Sequence, residues 1–263
     1  MNKISCSVEI LTRNSENTLE QCLESVKDFA EILVLDGNST DRTLEIAGRY
    51  GARILKQYET NEPLVSISDF SEVRNKGLRL AKYDWFMFID SDEYLSPEAV
   101  EEIRSIAENP HSTADAFWQP RKYVLNGKII DCATTYPNRQ IRLFKKSKTG
   151  GFKKPVHERI KLKEGARVGT LRHFEYLPVE GIEELRARWK RYMIQELDAV
   201  KGVRRTRLLR YAFGHGALFL FCAYRYFRGL FFCRGNRMPL SYEWARHSYS
   251  LRTIGHLVLK MFS

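Results

Sequence analysis

Short apolar runs and helix-like segments alternate along the first hundred residues of the chain. The runs, which are typical of buried strands, occupy residues 4–11, 32–35, 52–55 and 85–89. Between them, apolar residues recur every three or four positions, as on the buried face of a helix. Strands that alternate with helices predict an α/β fold with a mostly parallel sheet, right-handed crossovers and helices on both faces.

Capping residues mark where two of these helices begin, and polar residues mark where three strands end. Asn17 and Glu20 form a candidate capping box, and Ser96 with Pro97 gives the cap and first position of a later helix. Because ligands bind beyond the carboxyl ends of parallel strands, polar residues at the strand ends should converge at one edge of the sheet. These residues are Thr12, Asp36 and Asp90.

The pattern changes after residue 115. Strand-like segments and an Asn126–Gly127 hairpin turn follow one another up to residue 162, which predicts an antiparallel or mixed half-sheet. Helical spacing returns at residues 182–200. The chain is therefore predicted to comprise an α/β domain at 1–180 and a helical extension at 181–263.

The charge of the chain is concentrated in its C-terminal part. The whole sequence has 43 Lys and Arg against 32 Asp and Glu, and its formal net charge is +11. Residues 201–263 contain twelve of the basic residues and a single acid, Glu243, so the preceding 200 residues carry 31 of each sign. This division predicts an anionic partner for the tail alone, either lipid headgroups or nucleic acid.

Aromatic residues accompany the arginines of this tail. Nine Tyr or Phe lie between Tyr211 and Phe232, and the longest stretch without charge, Tyr211–Tyr224, has fourteen residues. Crossing a bilayer takes ~20 apolar residues, so residues 201–237 are predicted to lie on an anionic membrane surface. Packing of this segment as a second small core is the alternative, and its three glycines argue against one regular helix.

The five cysteines are scattered without a paired motif, at Cys6, Cys22, Cys132, Cys222 and Cys233. An odd number without C-x-x-C spacing favours small buried side chains in a reducing compartment over a disulfide framework or a zinc site. The N-terminal residues lack a basic segment followed by a long apolar stretch, so secretion is not expected.

The sharpest chemical signal is an apolar strand that ends in Asp90, Ser91, Asp92 and Glu93. Carboxylates placed together repel one another unless a cation joins them. Magnesium or manganese ions bind hard oxygen ligands and complete their shell with phosphate and water, so one or two carboxylates suffice. We therefore predict a divalent metal site at Asp92 with Asp90, and capping of the next helix by Asp92 or Glu93 is the alternative.

Three further polar clusters lie at strand ends or on a helix. Asp36 precedes a glycine turn and can accept hydrogen bonds from a base N–H, whereas residues 39–41 are interpreted as caps of the next helix. The first strand ends in the polar stretch Thr12–Glu16. On a helix, Arg74 can pair with phosphate or with an acid of the same site, and a merely solvated arginine is the alternative.

Together these motifs resemble the family 2 glycosyltransferases of the GT-A fold. The resemblance covers residues 4–160 and is nearest to the branch of bacterial lipopolysaccharide-core β-1,4-glucosyltransferases. It implies inverting transfer from a UDP-sugar or another nucleotide diphosphate sugar, with a nucleotide-binding half at 1–110 and an acceptor half at 111–180. The motifs that carry it are Thr12-Arg13-Asn14-x-Glu16, Asp36-x-x-Ser39-x-Asp41, Arg74-Asn75 and Asp90-x-Asp92.

The resemblance also implies roles for single residues. Donor binding would involve Arg13, Asn14 and Ser91, with Asp36 on the base, Thr12 and Glu16 on the nucleoside, Arg74 on the nucleotide end, Asp90 on the ribose and Asp92 on the metal. His157 and Glu158 resemble the His-Glu pair of that branch. Glu158 is the candidate base for the acceptor hydroxyl, and His157 assists it or touches the metal. Side chains alternate along a strand, so only one of the two should enter the site.

Some positions depart from the family pattern or stay open. Leu11 replaces a common proline, and Val73 replaces a small residue. Leu185 occupies the glutamine position of the motif of processive synthases, which favours transfer of one sugar per encounter. Arg139 or Arg142 is a candidate helper that neutralises charge on the leaving group.

Two other classes of protein share some of these features. A nucleotidyltransferase would also use acids and magnesium, but residues 11–16 contain no glycine-rich phosphate loop. A nucleic-acid-binding protein could use the arginines and aromatic residues of the tail, but the first 200 residues are charge-neutral. We therefore expect a cytoplasmic enzyme that is peripheral on the inner face of the cell membrane, with a saccharide or glycolipid acceptor and without a nucleic-acid partner.

Overall fold

A computed structural model describes residues 2–154, 159–199 and 205–262. The chain divides into two compact units. The first unit comprises Met1–Lys122 and Pro137–Leu177, and the second comprises Tyr123–Tyr136 and Pro178–Ser263. The boundary at residue 180 remains a prediction, and it differs from this division in the placement of residues 123–136.

The strands of the described residues form one large mixed sheet and one small sheet. In the large sheet the order is β3-β2-β1-β4-β8-β6-β12-β5, and β7 and β11 also pair with β6; β9 and β10 form the small sheet. The strands are β1 (Ile4–Thr12), β2 (Phe29–Asp36), β3 (Arg53–Lys56), β4 (Trp85–Asp90), β5 (Tyr94–Leu95), β6 (Ala116–Leu125), β7 (Lys128–Ile129), β8 (Asn138–Lys145), β9 (Thr149–Lys153), β10 (Arg159–Leu162), β11 (Val168–Thr170) and β12 (Glu175–Pro178).

Seven helices lie in the described part of the chain. Four of them follow strands of the first unit, and three belong to the second unit. They are α1 (Leu19–Val26), α2 (Thr43–Arg49), α3 (Phe70–Leu80), α4 (Pro97–Glu108), α5 (Ile182–Ala199), α6 (Arg205–Phe232) and α7 (Leu240–Phe262). A short 3₁₀ turn spans Lys146–Lys148.

The predicted α/β architecture is confirmed. Strand β1 pairs in parallel with β2 on one side and with β4 on the other. Strand β8 then pairs antiparallel with both β4 and β6, so the sheet is mixed beyond residue 115, as the changed pattern predicted. Strands β5, β9, β11 and β12 were not predicted, because runs of two to five residues give little periodicity to detect.

The two faces of the parallel strands bury separate apolar layers. Side chains alternate along a strand, so successive residues of β1 and β4 belong to opposite faces. One face packs on α1 and α4 through Val8, Ile10, Met87 and Ile89, among others. The other packs on α3 through Leu33, Leu35, Phe86 and Phe88. Both layers are covered, which explains the continuous apolar runs of these strands.

The helix starts agree with one capping prediction and contradict the other. Ser96 accepts a hydrogen bond from the Ala99 N–H at 3.1 Å, with Pro97 opening α4 as predicted. The capping box of Asn17 and Glu20 was wrong. Helix α1 begins after Thr18 without a side-chain cap, because the Ser15 carbonyl already accepts from the N–H of Leu19.

Helix α3 approaches β1 closely at Gly77. A Cβ at this position would lie 1.9 Å from Oε1 of the fully buried Glu9. We expect Gly77→Ala to lower the free energy of unfolding by about 2–4 kcal/mol, because the methyl group displaces a buried carboxylate. Urea unfolding measures the change. Gly48→Ala is the control, since nothing lies within 4 Å of a Cβ there and alanine favours the helix by up to about 1 kcal/mol. Similar midpoints for both variants would contradict this contact.

The second unit contains a hairpin and three helices. Asn126 and Gly127 have φ of 49° and 74°, which confirms the predicted turn between β6 and β7. Leu125, Ile130 and Met238 form a small apolar core. The doubt about one regular helix was wrong, because α6 runs unbroken through its glycines, Gly214, Gly216 and Gly229, and packs along α7.

The expectation that no cysteine is paired was also wrong. Cys132 and Cys233 form a disulfide, which the lack of a paired motif concealed because 101 residues separate the two. The other three cysteines, Cys6, Cys22 and Cys222, are buried and unpaired, as expected for small apolar side chains. A structural disulfide is typical of an oxidising compartment, so it argues against the reducing compartment that we predicted.

The disulfide joins two segments of the second unit and closes a loop with a sequence separation of 101 residues. We expect the double variant Cys132→Ser/Cys233→Ser to lose about 2–5 kcal/mol of stability, because the cross-link restricts the unfolded chain. Thermal melting with and without dithiothreitol measures the effect. Reductant should lower the melting temperature of the wild type and leave that of the variant unchanged. A wild type that does not respond to full reduction would contradict the expected contribution.

Candidate active site

Three parallel strands end side by side, and each end carries a residue of the predicted site. Thr12 of β1 is in register with Asp36 of β2, and Leu11 is in register with Asp90 of β4. The Thr12 hydroxyl donates to Asp36 at 2.8 Å. The predicted convergence of Thr12, Asp36 and Asp90 at one sheet edge is therefore confirmed by the strand register.

The loops after these strands bond to one another. The hydroxyls of Ser15 and Ser91 lie 3.0 Å apart, which joins the loop after β1 to the loop after β4. Asn14 has a φ of 48°, and its N–H donates to the Ser39 hydroxyl at 2.8 Å. The Glu16 carboxylate accepts from the backbone of the loop after β2, at 3.1 Å from the N–H of Arg42. The structure thus brings the three motifs together as one polar edge.

Asp36 and Gln57 form the buried floor of this edge. Asp36 accepts the Ser39 N–H at 2.7 Å as well as the Thr12 hydroxyl, so both its carboxylate oxygens have partners. The side-chain amide of Gln57 donates to the backbone carbonyls of Thr12 and Leu35, each at 3.0 Å. These bonds orient the amide, and within the described residues Oε1 of Gln57 has no hydrogen-bond partner.

An open cleft of about 280 Å³ lies over this floor. Arg13 crosses it and donates to the Ser66 hydroxyl. The cleft contains polar groups from the ends of three strands and apolar walls from the segment before α3. Its lining residues are Leu11, Thr12, Arg13, Gln57, Val65, Ser66, Ile67, Phe70, Asp90 and Ser91.

Beside the cleft, three arginines and four carboxylates form what we call the buried charge network. Arg142 contacts Asp90 at 3.1 Å, Glu93 at 2.6 Å and Glu175 at 3.3 Å. Arg74 pairs with Glu9 at 3.2 Å and also with Asp90. The members are Glu9, Arg74, Asp90, Glu93, Arg121, Arg142 and Glu175.

The network is anchored on an aromatic ring of β4. The guanidinium carbons of Arg74 and Arg142 lie 4.6 and 4.5 Å from the centroid of Phe88. Both side chains are only 1% exposed, so these cation–π contacts are shielded from water. The alternative of a solvated Arg74 is therefore wrong, and its pairing with an acid of the same site is what the structure shows.

The network sets the ionisation of its acids in opposite directions. Burial opposes ionisation of Asp90, but the guanidiniums, Arg142 foremost, outweigh burial and hold the pKa of Asp90 well below its usual range. For Glu93, burial raises the pKa well above the ordinary value, and the neighbouring carboxylate of Glu175 adds to this rise.

These contacts bear on the predicted metal site. The metal was predicted because neighbouring carboxylates repel one another unless a cation joins them. For Asp90 and Glu93, that cation is an arginine guanidinium. Asp92, between these two acids in the sequence, has an exposed side chain. Among residues 2–154, 159–199 and 205–262, no three His, Cys, Asp or Glu side chains come together as a metal-binding group. The metal site therefore stays a prediction, with the carboxylate of Asp92 as the oxygen ligand of a kind that Mg²⁺ and Mn²⁺ prefer.

The segment with the candidate base, Pro155–Glu158, lies outside the described residues, so His157 and Glu158 stay predictions. The strand before it is held by the Arg74-Asn75 motif. The side-chain amide of Asn75 donates to the Phe152 carbonyl at 3.0 Å and accepts the Phe152 N–H at 2.8 Å. Gly151 permits this approach, since a Cβ there would lie 2.6 Å from Oδ1 of Asn75.

Several residues of the site were missed in the sequence. Arg121, Glu175 and Gln57 were not considered, and Arg142 was considered only as a helper for the leaving group. Glu175 and Gln57 lie on or beside four-residue strands, and Arg121 and Arg142 lie within the longer β6 and β8. In either place, a single polar residue resembles the solvent-facing position of an alternating pattern. The available signal was Glu9 within the apolar first run, because a carboxylate buried in a strand requires a cationic partner.

A parallel half-sheet with a polar cleft at its strand ends defines the ligand-binding α/β class of proteins. Residues 7–155, more than half of the chain, match the family model described as glycosyl transferase family 2. The chain therefore belongs to glycosyl transferase family 2. This confirms the predicted family, its GT-A fold and the glycosyltransferase class, while the lipopolysaccharide-core branch is not confirmed.

Similar proteins match part of the chain. A TPR repeat-containing protein of Synechococcus elongatus is 34% identical over 155 residues, covering 59% of this chain and 35% of the relative. The glycosyltransferase SunS of Bacillus subtilis is 37% identical over 105 residues, covering 40% and 23%. The chain therefore spans only 35% and 23% of the lengths of these two relatives. The crystal structure of S. aureus TarS 1–349 with UDP-GlcNAc has a TM-score of 0.48 at 20% identity, covering 71% of this chain and 65% of that chain.

Proposed function

We propose that the protein transfers a single sugar from a UDP-sugar, or another nucleotide diphosphate sugar, to a saccharide or glycolipid acceptor of the cell envelope. The observation that carries this proposal is the meeting of β1, β2 and β4 at one cleft with Thr12, Asp36 and Asp90 at their ends. Membership of family 2 supports the reaction class. A lipopolysaccharide-core acceptor is the finer form of the proposal and rests on the sequence resemblance.

The floor of the cleft supports a uridine donor. The imide N–H of uracil is a hydrogen-bond donor, and Oε1 of Gln57 is a buried acceptor whose orientation is fixed by the other end of its amide. Asp36 lies beside it and was assigned the base by resemblance. Its carboxylate orients the Thr12 hydroxyl, so we propose that Asp36 acts on the nucleoside partly through Thr12.

A divalent metal, Mg²⁺ or Mn²⁺, fits this edge with Asp92 as its protein ligand and the donor diphosphate as the source of further oxygens. Such an ion would act as a Lewis acid that stabilises charge on the departing diphosphate. Asp90 is held by Arg74 and Arg142, so we propose that its role is on the ribose side of the cleft rather than in the metal shell.

The acceptor side of the proposal rests on the segment that follows β9. Inverting transfer needs a base that takes the proton of the acceptor hydroxyl on the face opposite the leaving group, and Glu158 remains the candidate, with His157 beside it. The hydrogen bonds of Asn75 to Phe152 support this placement, because they fix β9 against α3 a few residues before the pair.

Thermal shifts across a panel of nucleotide sugars, with and without manganese, test the donor proposal. A ligand that binds only the native state raises its melting temperature, so the panel reports the donor without knowledge of the acceptor. We expect UDP-sugars to give the largest shift and Gln57→Leu to reduce the advantage of UDP over CDP, because cytosine has no imide N–H. Equal shifts from all nucleotides, or none, would remove the donor assignment.

For the tail we propose contact with an anionic membrane surface through α6. Phe213, Leu220, Tyr224, Phe227 and Phe231 are spaced seven, four, three and four residues apart, so they form one exposed apolar stripe on the helix. Phe213 and Phe231 are each 80% exposed. The net charge of +11 in residues 201–263 complements anionic lipid. In the described part of the chain, no helix has the length and apolar character needed to cross a bilayer.

Sedimentation with vesicles tests this contact. We expect Leu220→Asp/Phe227→Asp to lose binding to vesicles that contain phosphatidylglycerol, because charge on the stripe prevents its insertion. A concentration-dependent dimer that the same substitutions dissociate, without vesicle binding, would assign the stripe to a second copy of the chain. The cytoplasmic location stays a prediction, and the Cys132–Cys233 disulfide argues against it.

A further inference from the structure

The second unit contains a cavity of about 230 Å³ that the glycosyl transfer site does not involve. Arginines from α6 and from the segment before α7 line it, together with both halves of the disulfide. Its basic residues are Arg225, Arg228 and Arg237, and its remaining walls include Thr134, Tyr136, Tyr226 and Phe232.

The charge of the three arginines is the second feature of the cavity. Within the described residues, no carboxylate forms an ion pair with Arg225, Arg228 or Arg237. Arg225 is half-buried, and its guanidinium lies 5.4 Å from the ring centroid of Phe221, which restrains it without neutralising it. Three like charges around one cavity repel one another, so an anion between them would be favoured.

The two acids that also line the cavity are engaged elsewhere. Glu243 accepts from the N–H of Thr134 at 2.8 Å and lies 3.1 Å from Nε2 of His247, and these hydrogen bonds hold its pKa below the ordinary value. Asp131 accepts the N–H of Asn236 at 3.0 Å. Glu243 is therefore engaged by Thr134 and His247.

The cavity is also held in shape. The disulfide joins Cys132 to Cys233, the residue that follows α6, and backbone bonds from Met238 to Cys132 at 2.9 Å and from Asp131 to Asn236 at 2.7 Å tie the same two segments together. A guanidinium presents a planar fork of donors that matches two phosphate oxygens at once. Arginines on restrained segments therefore bind phosphate with more geometric selectivity than a solvated cationic surface.

We propose that this cavity is a phosphate-binding site, in which Arg225, Arg228 and Arg237 hold one phosphate group of a phosphomonoester, phosphodiester or pyrophosphate. Arg225 and Arg228 lie on the same helix as the exposed apolar stripe of α6, on one side of it, so a lipid phosphate could reach the cavity from a membrane surface. A soluble phosphate compound presents the same chemistry. The site is independent of the donor cleft, and its test does not use glycosyl transfer.

The test compares three triple variants of the full chain. The first, Arg225→Gln/Arg228→Gln/Arg237→Gln, removes the site. The second, Arg191→Gln/Arg205→Gln/Arg210→Gln, removes the same charge from exposed arginines of the same unit that do not line the cavity. The third, Arg225→Lys/Arg228→Lys/Arg237→Lys, keeps the charge and changes only the donor geometry.

Two measurements separate the sources of phosphate. The first is partition to phosphatidylcholine vesicles with and without phosphatidic acid. The second is the thermal shift produced by inorganic pyrophosphate. General attraction to an anionic surface depends only on the number of charges. It therefore predicts that both glutamine triples lose vesicle binding equally and that the lysine triple loses none.

We expect both cavity triples to bind phosphatidic acid vesicles at least tenfold more weakly than the matched control triple. Pyrophosphate should stabilise the wild type and the control more than the cavity triples, in which only the donor cleft remains to bind it. Loss of the pyrophosphate shift with unchanged vesicle binding would support the site and assign it to soluble phosphate. Equal behaviour of the cavity and control triples in both measurements would overturn the proposal.

Discussion

Replacing Arg142 with methionine is expected to lower the free energy of unfolding by about 3–5 kcal/mol, because the change leaves buried carboxylates without their cation. Arg142 is 1% exposed and contacts Asp90, Glu93 and Glu175 within 3.3 Å. Methionine has a similar length and fills most of the space, so the loss reports charge rather than a cavity. Urea unfolding monitored by intrinsic fluorescence measures it.

Two further variants test whether the loss of stability comes from the buried charge network. Arg139→Met applies the same substitution on the same strand at an exposed position that stacks on Trp118, and it should cost less than about 1 kcal/mol. Adding Glu175→Gln to Arg142→Met should recover part of the loss, since the two effects share one network and are not additive. An Arg142→Met variant as stable as Arg139→Met would show that the network does not stabilise the fold.

The parallel half of the sheet was predictable because its strands and helices are long and repeat a simple pattern. Strand β4 was predicted at 85–89 and runs from Trp85 to Asp90. The helix expected near residues 71–81 is α3, Phe70–Leu80. The polar strand ends were predictable for the same reason, since parallel strands in register must end at one edge.

The buried charge network was not predictable from the sequence. Its members come from β1, α3, β4, the loop after β4, β6, β8 and β12, so the contacts depend on the order of strands in the sheet rather than on sequence spacing. The sequence indicated repulsion among Asp90, Asp92 and Glu93, and we predicted that one divalent metal ion relieves it. Arginine relieves it for Asp90 and Glu93, and the side chain of Asp92 is exposed.

The second large effect is expected for substitution of Asp92. We expect Asp92→Asn to reduce turnover by about 10³-fold, because a metal that stabilises the leaving diphosphate contributes several kcal/mol to the transition state. The variant should fold normally, since the side chain is exposed and asparagine has the same shape. Its binding of UDP should persist through the cleft while the additional thermal shift produced by manganese disappears.

The control for Asp92→Asn is Glu164→Gln, which removes one carboxylate from an exposed turn of the same unit and should change neither turnover nor the manganese-dependent shift. Asp90→Asn should behave differently from both, because it removes a carboxylate that pairs with the buried Arg74 and Arg142 and so lowers stability before it affects metal binding. A manganese-dependent shift that survives in Asp92→Asn would exclude Asp92 as the metal ligand. If the shift were lost in Asp90→Asn at full stability, the metal would instead belong to the carboxylate that the arginines hold.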